Sequence, residues 1–247
     1  MKGVILAGGT GSRLFPLTKV TNKHLLPVYD KPMIFYPIEC MAKSGIEKVL
    51  LVTGGNNAGD FIRLLGNGRE FGLRELNYTY QDGAGGIAQA LGLAEDFVAG
   101  DSLCLILGDN ILEFTIGASV RRFAEQGKGA KIFLSRVENP RAYGVAEMDG
   151  ERVTRIVEKP KEPRSDLAVI GVYLYDGNVF NIVKTLKPSA RNELEITDVN
   201  NAYIAEGTMT ADRVSGFWAD AGENIDFYLR SCNTVAQNGA NKDGPQP

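Results

Sequence analysis

An apolar run near the N-terminus, Val4-Ile5-Leu6-Ala7, breaks into Gly8-Gly9-Thr10-Gly11-Ser12-Arg13. Three glycines, two hydroxyls and an arginine after a buried strand suit a loop whose amides face phosphate oxygens. The loop is not a dinucleotide fingerprint, because reading G-x-G-x-x-G from Gly9 puts Leu14 at the last glycine, and no Lys-Ser/Thr pair closes it as a Walker A loop. A Gly-rich turn with no ligand is the plain alternative. Ten residues on, Lys23-His24-Leu25-Leu26-Pro27-Val28 offers a cation. Asp109 follows the apolar stretch Leu103 to Gly108 and so stands at the carboxyl end of a strand, where open α/β sheets bind ligands. A charge there is either a ligand or the cap of a helix starting near Ile111. Asp220, read alone, is an acid in a loop flanked by Gly222. Glu193 and Glu195 read as helix-start charges or supports rather than catalysts.

Composition narrows the chemistry these residues can serve. In 247 residues, 44% hydrophobic and 23% charged side chains describe a globular protein rather than a disordered or fibrous one. The net charge of −3 argues against a basic nucleic-acid face, and no apolar run approaches a membrane span. Three cysteines (Cys40, Cys104, Cys232) without a CxxC pair, and a single histidine, leave no zinc site of Cys/His type. The N-terminal apolar run is too short for a signal-peptide core, so the cytoplasm is the expected compartment. Glycine, 29 of 247, is in excess, as expected where backbone must turn tightly or approach a ligand.

The elements that must position these residues alternate. Gly3 to Ala7, Val49 to Val52, Asn77 to Gln81, Leu103 to Leu107 and Ala130 to Val137 read as strands. Helical spacing falls between them at 32–43, 58–65, 87–97 and 116–126, which predicts a parallel sheet covered on both faces. The second half changes texture: strands at 145–148, 152–158, 168–175 and 209–215 alternate with helices at 179–186, 195–205 and 224–236. No repeat or linker divides the chain. Residues 1–237 are expected to form a single domain of two halves, near 1–128 and near 129–237. Residues 238–247, polar with Gly and Pro, are expected to be a flexible tail, with every candidate site residue lying before it.

The order of the motifs is specific. The Gly8 to Arg13 loop, Lys23 to Val28 and Lys31-Pro32-Met33 are followed by Gly85-Gly86-Ile87-Ala88-Gln89-Ala90, Leu107-Gly108-Asp109-Asn110 and Tyr143-Gly144-Val145. Then come Glu158-Lys159-Pro160, Glu193 to Asp198, and Trp218-Ala219-Asp220-Ala221-Gly222. From Met1 to about Ala236 this set resembles the sugar-phosphate nucleotidyltransferases, in particular their glucose-1-phosphate thymidylyltransferase branch. The resemblance implies an α/β, Rossmann-like mixed and mostly parallel sheet with helices on both faces, a GT-A-like fold. It implies transfer of a nucleotidyl group from dTTP to glucose 1-phosphate, with a nucleotide-binding half near 1–128, a sugar-binding half near 129–237, Mg²⁺ as cofactor and small molecules as the only substrates.

By the same resemblance, Leu6, Gly8, Gly9, Thr10, Gly11, Ser12 and Arg13 wrap the triphosphate, and Gln81 and Gly86 read the pyrimidine edge. Asp109 and Asp220 hold the metal. Asn110, Gly144, Glu158, Lys159 and Val169 take the sugar phosphate, and Arg13, Lys23 and Lys159 neutralise charge for the transfer. The chain departs from the longer relatives at His24, where they carry Gln, at Gly85, where they carry Asp, and at Ala219 and Ala221. It also stops before their regulatory helices, which predicts a monomer or weak homodimer. A UTP-dependent or other sugar-phosphate nucleotidyltransferase, and a catalytically silent nucleotide-sugar-binding relative, remain the alternatives.

Overall fold

The computed structural model describes residues 1–9 and 11–243, save the side chain of Asn56. The first-half strands are β1 (Lys2–Ala7), β2 (Pro27–Val28), β3 (Lys31–Pro32), β4 (Lys48–Gly54), β5 (Glu75–Gln81), β6 (Leu103–Leu107) and β7 (Asn110–Leu112). Those that follow are β8 (Ala130–Arg136), β9 (Gly144–Asp149), β10 (Arg152–Glu158), β11 (Leu167–Tyr175), β12 (Met209–Arg213) and β13 (Trp218–Asp220). The α-helices are α1 (Phe35–Lys43), α2 (Ala58–Leu65), α3 (Ile87–Gly92), α4 (Glu95–Val98), α5 (Gly117–Gln126), α6 (Val179–Thr185), α7 (Ile196–Ala205) and α8 (Ile225–Asn238).

Among the described residues one nine-stranded sheet runs β10-β9-β11-β6-β1-β4-β5, with β8 pairing both β11 and β12. The β6-β1-β4-β5 block is parallel, as the apolar runs predict. On β1, Val4 and Leu6 enter the core on one face while Ile5 and Ala7 enter the core on the other. Leu50 and Val52 against Val49 and Leu51 repeat this on β4. A strand buried on both faces has no polar side to show, which is why these runs are continuous rather than alternating. Helix α3 packs with α6 and α7 on the first face, and α1 covers the second. Strand β11 is antiparallel to β6, β8 and β9 and is buried throughout its length. The sheet is therefore mixed, and its direction changes where the two halves meet.

Three local expectations are corrected. The helix read over 32–43 starts at Phe35, because Lys31 and Pro32 pair with Pro27 and Val28 in a two-stranded ribbon. The helix read over 87–97 is two short ones, separated at Leu93 and Ala94. No helix starts near Ile111: Asn110 to Leu112 pair with Trp218 to Asp220, so Asp109 caps nothing.

The expected tail is also ordered as far as it is described. Helix α8 runs to Asn238, and Asn241 is fully buried. Its amide donates to Leu112 O at 2.9 Å, its Nδ2 to Tyr36 O at 2.8 Å, and its carbonyl accepts from Lys43 Nζ at 3.0 Å. Lys242 continues the attachment, with its amide on Glu113 O at 2.8 Å and its carbonyl accepting from Thr115 N at 3.2 Å. Backbone and amide hydrogen bonds dock this strap, an attachment that leaves no apolar pattern in the sequence. Residues 244–247 lie outside the described residues. Among those described, no helix is long and apolar enough to cross a membrane.

Candidate active site

Parallel register brings the carboxyl ends of β1, β4, β5 and β6 side by side, with Leu6 beside Leu107, Ala7 beside Thr53 and Gly54 beside Gln81. The chain leaving β1 crosses the end of β4 so closely that a Cβ on Gly54 would sit 3.0 Å from Gly8 O. Over these ends lies a cleft of about 580 Å³. Of the residues expected at the nucleotide and metal, Leu6, Gly8, Gly9, Gly11, Ser12, Arg13, Lys23, Gln81, Gly86, Asp109 and Asp220 all line it. Thr10 lies outside the described residues.

At the cleft floor Lys23 Nζ is ion-paired with Asp109 Oδ2, both side chains being about nine-tenths buried. Burial alone pushes the Asp109 carboxyl up, but the charge and hydrogen bond of Lys23, with Asn110 Nδ2 at 3.1 Å, hold it well below the usual carboxylate range. Asp220 moves the other way: burial first, then the negative charge of Asp109, push it upward against Lys23 and Arg13. Gly222 N donates to Asp220 Oδ1 at 3.0 Å and Ala221 N to Asp109 O at 3.0 Å, locking the two segments together. The pair thus carries one carboxylate already matched by a cation and one short of positive charge. No cluster of three or more His, Cys, Asp or Glu among the described residues forms a full protein cage. Two carboxylates completed by phosphate oxygens and water is how Mg²⁺ is ordinarily held, so the donor set fits that ion.

His24 lines the cleft and is buried. Asn22 Nδ2 donates to Ala7 O at 3.2 Å, so the Asn22 Oδ1 atom is the one that faces His24, accepting from its amide at 3.0 Å and meeting Nδ1 at 2.7 Å. An acceptor there places the ring proton on Nδ1 and leaves Nε2 as a lone pair. Burial, followed by the Lys23 charge, pushes its pKa down to about 3, so the ring is neutral at pH 7.

The residues expected at the sugar are not walls of this cleft; they gather on the adjoining strands. Gly144 at the start of β9 pairs with Glu158 at the end of β10, and Lys159, at φ 44°, donates its amide to Tyr143 O at 3.0 Å. The Glu158 carboxylate accepts from Thr197 Oγ1 at 2.7 Å. Val169 lies on β11, next to Ala168, which pairs with Val145 of β9. Asn110 joins the two groups: its Oδ1 accepts from Gly171 N of β11 at 3.0 Å and from Trp218 Nε1 of β13 at 2.6 Å. Tyr143, edge-on to Trp218 with centroids 5.4 Å apart, donates its hydroxyl to Glu223 and is shifted upward by burial and that bond.

Sequence reasoning missed several neighbours. Glu193, set aside as a support, lines the cleft, as do Tyr80 and Gly222. Arg191 sits among three carboxylates, Glu195 at 2.8 Å, Glu158 at 3.4 Å and Glu193 at 3.5 Å. Two of those are near in sequence and look like solvated charges; only the fold adds the third, from β10.

Comparison with known proteins follows the same boundaries. The family model described as nucleotidyl transferase matches residues 2–237. A glucose-1-phosphate thymidylyltransferase of Neisseria meningitidis is 44% identical over 234 residues, 92% of this chain and 80% of that protein. That of Mycobacterium tuberculosis is 43% identical over 239 residues, 95% of this chain and 82% of that protein. A Bacillus anthracis protein assigned as a glucose-1-phosphate thymidylyltransferase, solved with sucrose, superposes with a TM-score of 0.91 at 49% identity, covering 100% of this chain and 98% of the other. UDP-glucose pyrophosphorylase with UDP-glucose superposes at 0.83 and 25% identity, covering 96% of this chain and 98% of the other. A match running from β1 to the end of α8, with relatives above 40% identity over nine-tenths of the sequence, leaves no part of the site outside it: the chain belongs to the nucleotidyl transferase family.

Proposed function

We propose that the protein transfers the thymidylyl group of dTTP to α-D-glucose 1-phosphate, giving dTDP-glucose and pyrophosphate. The observation that carries this reading is the convergence, in one strand-end cleft, of a glycine loop with Arg13, the Lys23–Asp109 pair and Asp220. Both substrates are polyanions, so bringing them together is chiefly a matter of neutralisation and alignment. Arg13 and Lys23 take the triphosphate, and Lys159 takes the sugar phosphate. Asn110, Gly144, Glu158 and Val169 contact the sugar, while Gln81 and Gly86 read the base. Asp109 and Asp220 would hold Mg²⁺, which when bound supplies a Lewis acid on the phosphate oxygens.

An oxygen of the sugar phosphate attacks the α-phosphorus in line; the new O–P bond forms as the bond from the α-phosphorus to the bridging oxygen breaks, and pyrophosphate leaves with that electron pair. A phosphate oxygen is already ionised at pH 7, so the step needs no general base. His24, pushed down to about 3 by burial, would be a weak base for any such role.

Pyrophosphate release measured across triphosphates and sugar 1-phosphates tests the assignment. The expected best pair is dTTP with glucose 1-phosphate. UTP should follow within roughly 10–200-fold, the scale of a methyl-sized difference. Faster turnover with ATP or GTP would overturn the assignment, and faster turnover with UTP would make the protein a uridylyltransferase.

A further inference from the structure

Gln81 is buried at the end of β5, and its amide is not free to turn. Its Nε2 lies 3.2 Å from Gly86 O and 2.8 Å from Gln89 Oε1. A backbone carbonyl can only accept, so the nitrogen must be the atom on that side, and both of its hydrogens are spent within the protein. The Oε1 atom is therefore the one turned away from Gln89 and toward the glycine loop, where a Cβ on Gly8 would come within 3.0 Å of it. Gln81 and Gly8 line the same cleft. Toward a base, this side chain presents an acceptor and no donor.

We infer that Gln89, an exposed residue of α3 outside every assigned subsite, is a positioning residue that sets base selectivity by holding the Gln81 carbonyl oxygen toward the nucleotide. The inference rests on the reading that Gln81 meets the base. A pyrimidine with a proton on N3, thymine or uracil, donates that proton to Oε1. Cytosine brings a bare N3 lone pair to the same oxygen and is rejected, because two acceptors are left facing each other in a buried site.

Gly85 gives the arrangement an independent support. A Cβ at Gly85 would fall inside the Gln89 amide, so the side chain that fastens Gln81 lies directly over this residue and would have to shift its flexible end if a methyl group stood there. The φ of Gly85 is not in the left-handed region, so no backbone conformation demands glycine there. What a side chain there would disturb is the placement of the Gln89 amide.

The test is the ratio of kcat/KM for dTTP to that for dCTP, with the melting temperature of each variant as a check on folding. The unaltered protein should favour dTTP by about 1,000-fold or more, the scale at which a site built on hydrogen bonds rejects a mismatched analogue. Gln89→Glu keeps an acceptor for Gln81 Nε2 and should keep the ratio. Gln89→Lys can only donate, competes for Oε1, and should lower the ratio by about 10–100-fold. Gly85→Ala pushes the flexible end of Gln89 aside without altering it and should lower the ratio in the same direction. An unchanged ratio in both Gln89→Lys and Gly85→Ala, with collapse in Gln81→Ala, would overturn the role of Gln89 and leave the base reading standing. An unchanged ratio in Gln81→Ala as well would overturn the base reading itself.

Discussion

Gly222 lies so close to Asp109 that a Cβ built on it would sit 2.5 Å from Asp109 Oδ2, and 2.7 Å from the Nζ of Lys23. The glycine is there because the ion pair leaves no room for a methyl group. Gly222→Ala is expected to displace the pair, lowering kcat/KM by about 100-fold, since a shift of about an ångström at a reacting centre costs that much. The melting temperature should fall by only a few degrees, the scale of a local overpacking penalty. Steady-state kinetics beside a thermal melt checks both; normal turnover would show that the pair is not part of the reacting centre.

The two aspartates can be separated by charge. Asp109→Asn and Asp220→Asn are each expected to lower turnover roughly 100- to 1,000-fold at saturating Mg²⁺, the scale of removing one preorganised stabiliser. Magnesium titrations of activity should also show a weaker half-saturation in both. Asp109→Asn carries an added cost, because it strips Lys23 of its partner. Near-normal rates in either variant would put the metal elsewhere.

His24 provides a pH prediction with a clean observable, since the sequence contains one histidine. Its folded pKa, pushed down to about 3, lies below the value of about 6.5 in an unfolded chain. The stability this contributes is full above pH 6.5 and is lost as pH falls from 6.5 toward 3, because only the unfolded chain takes up the proton. Between pH 7 and pH 5 that amounts to about 2 kcal/mol, and His24→Gln should remove this part of the loss. In NMR spectra the lone imidazole signal should hold its neutral position down to pH 5. A midpoint between 6 and 7 would refute the buried, Asn22-bonded ring.

Removal of residues 239–247 is expected to lower the melting temperature by several degrees. Asn241 adopts φ 52°, a left-handed conformation that asparagine tolerates better than most side chains, and its amide serves Tyr36 O. Asn241→Ala should therefore cost about 2 kcal/mol, combining an unpaired buried carbonyl with backbone strain. Asn241→Gly should cost less, because only the side-chain bond is lost. Melts identical to the unaltered chain in all three would restore the loose-tail reading.

What the sequence revealed follows from the length scale of each signal. Leu103 to Leu107 was legible because five consecutive apolar residues between Asp101-Ser102 and Gly108-Asp109 admit few structures, and Asp109 was legible as the charge closing that run. Strands β7 and β13, three residues each, are too short to show a period, and their pairing comes from residues more than 100 positions apart. The polar partners of the site stayed hidden for the same reason. Asn22 reads as an ordinary loop residue until the fold places it between Ala7 and His24. Gln89 was visible within a motif, but nothing in the one-dimensional pattern says that its amide reaches Gln81.

Strand β11 joins β6 of the first half to β8 and β9 of the second along a wholly buried ribbon. Severed between 128 and 129, the chain would yield two pieces that each end in a bare seam: the apolar edge of β6 on one, and that of β11 on the other. Such seams recruit any strand within reach. Each piece expressed by itself is expected to aggregate, and co-expression, which offers each seam its native mate, is expected to recover a heterodimer. The two halves of this molecule are accordingly not separable units, because the seam that joins them lies in the middle of one sheet.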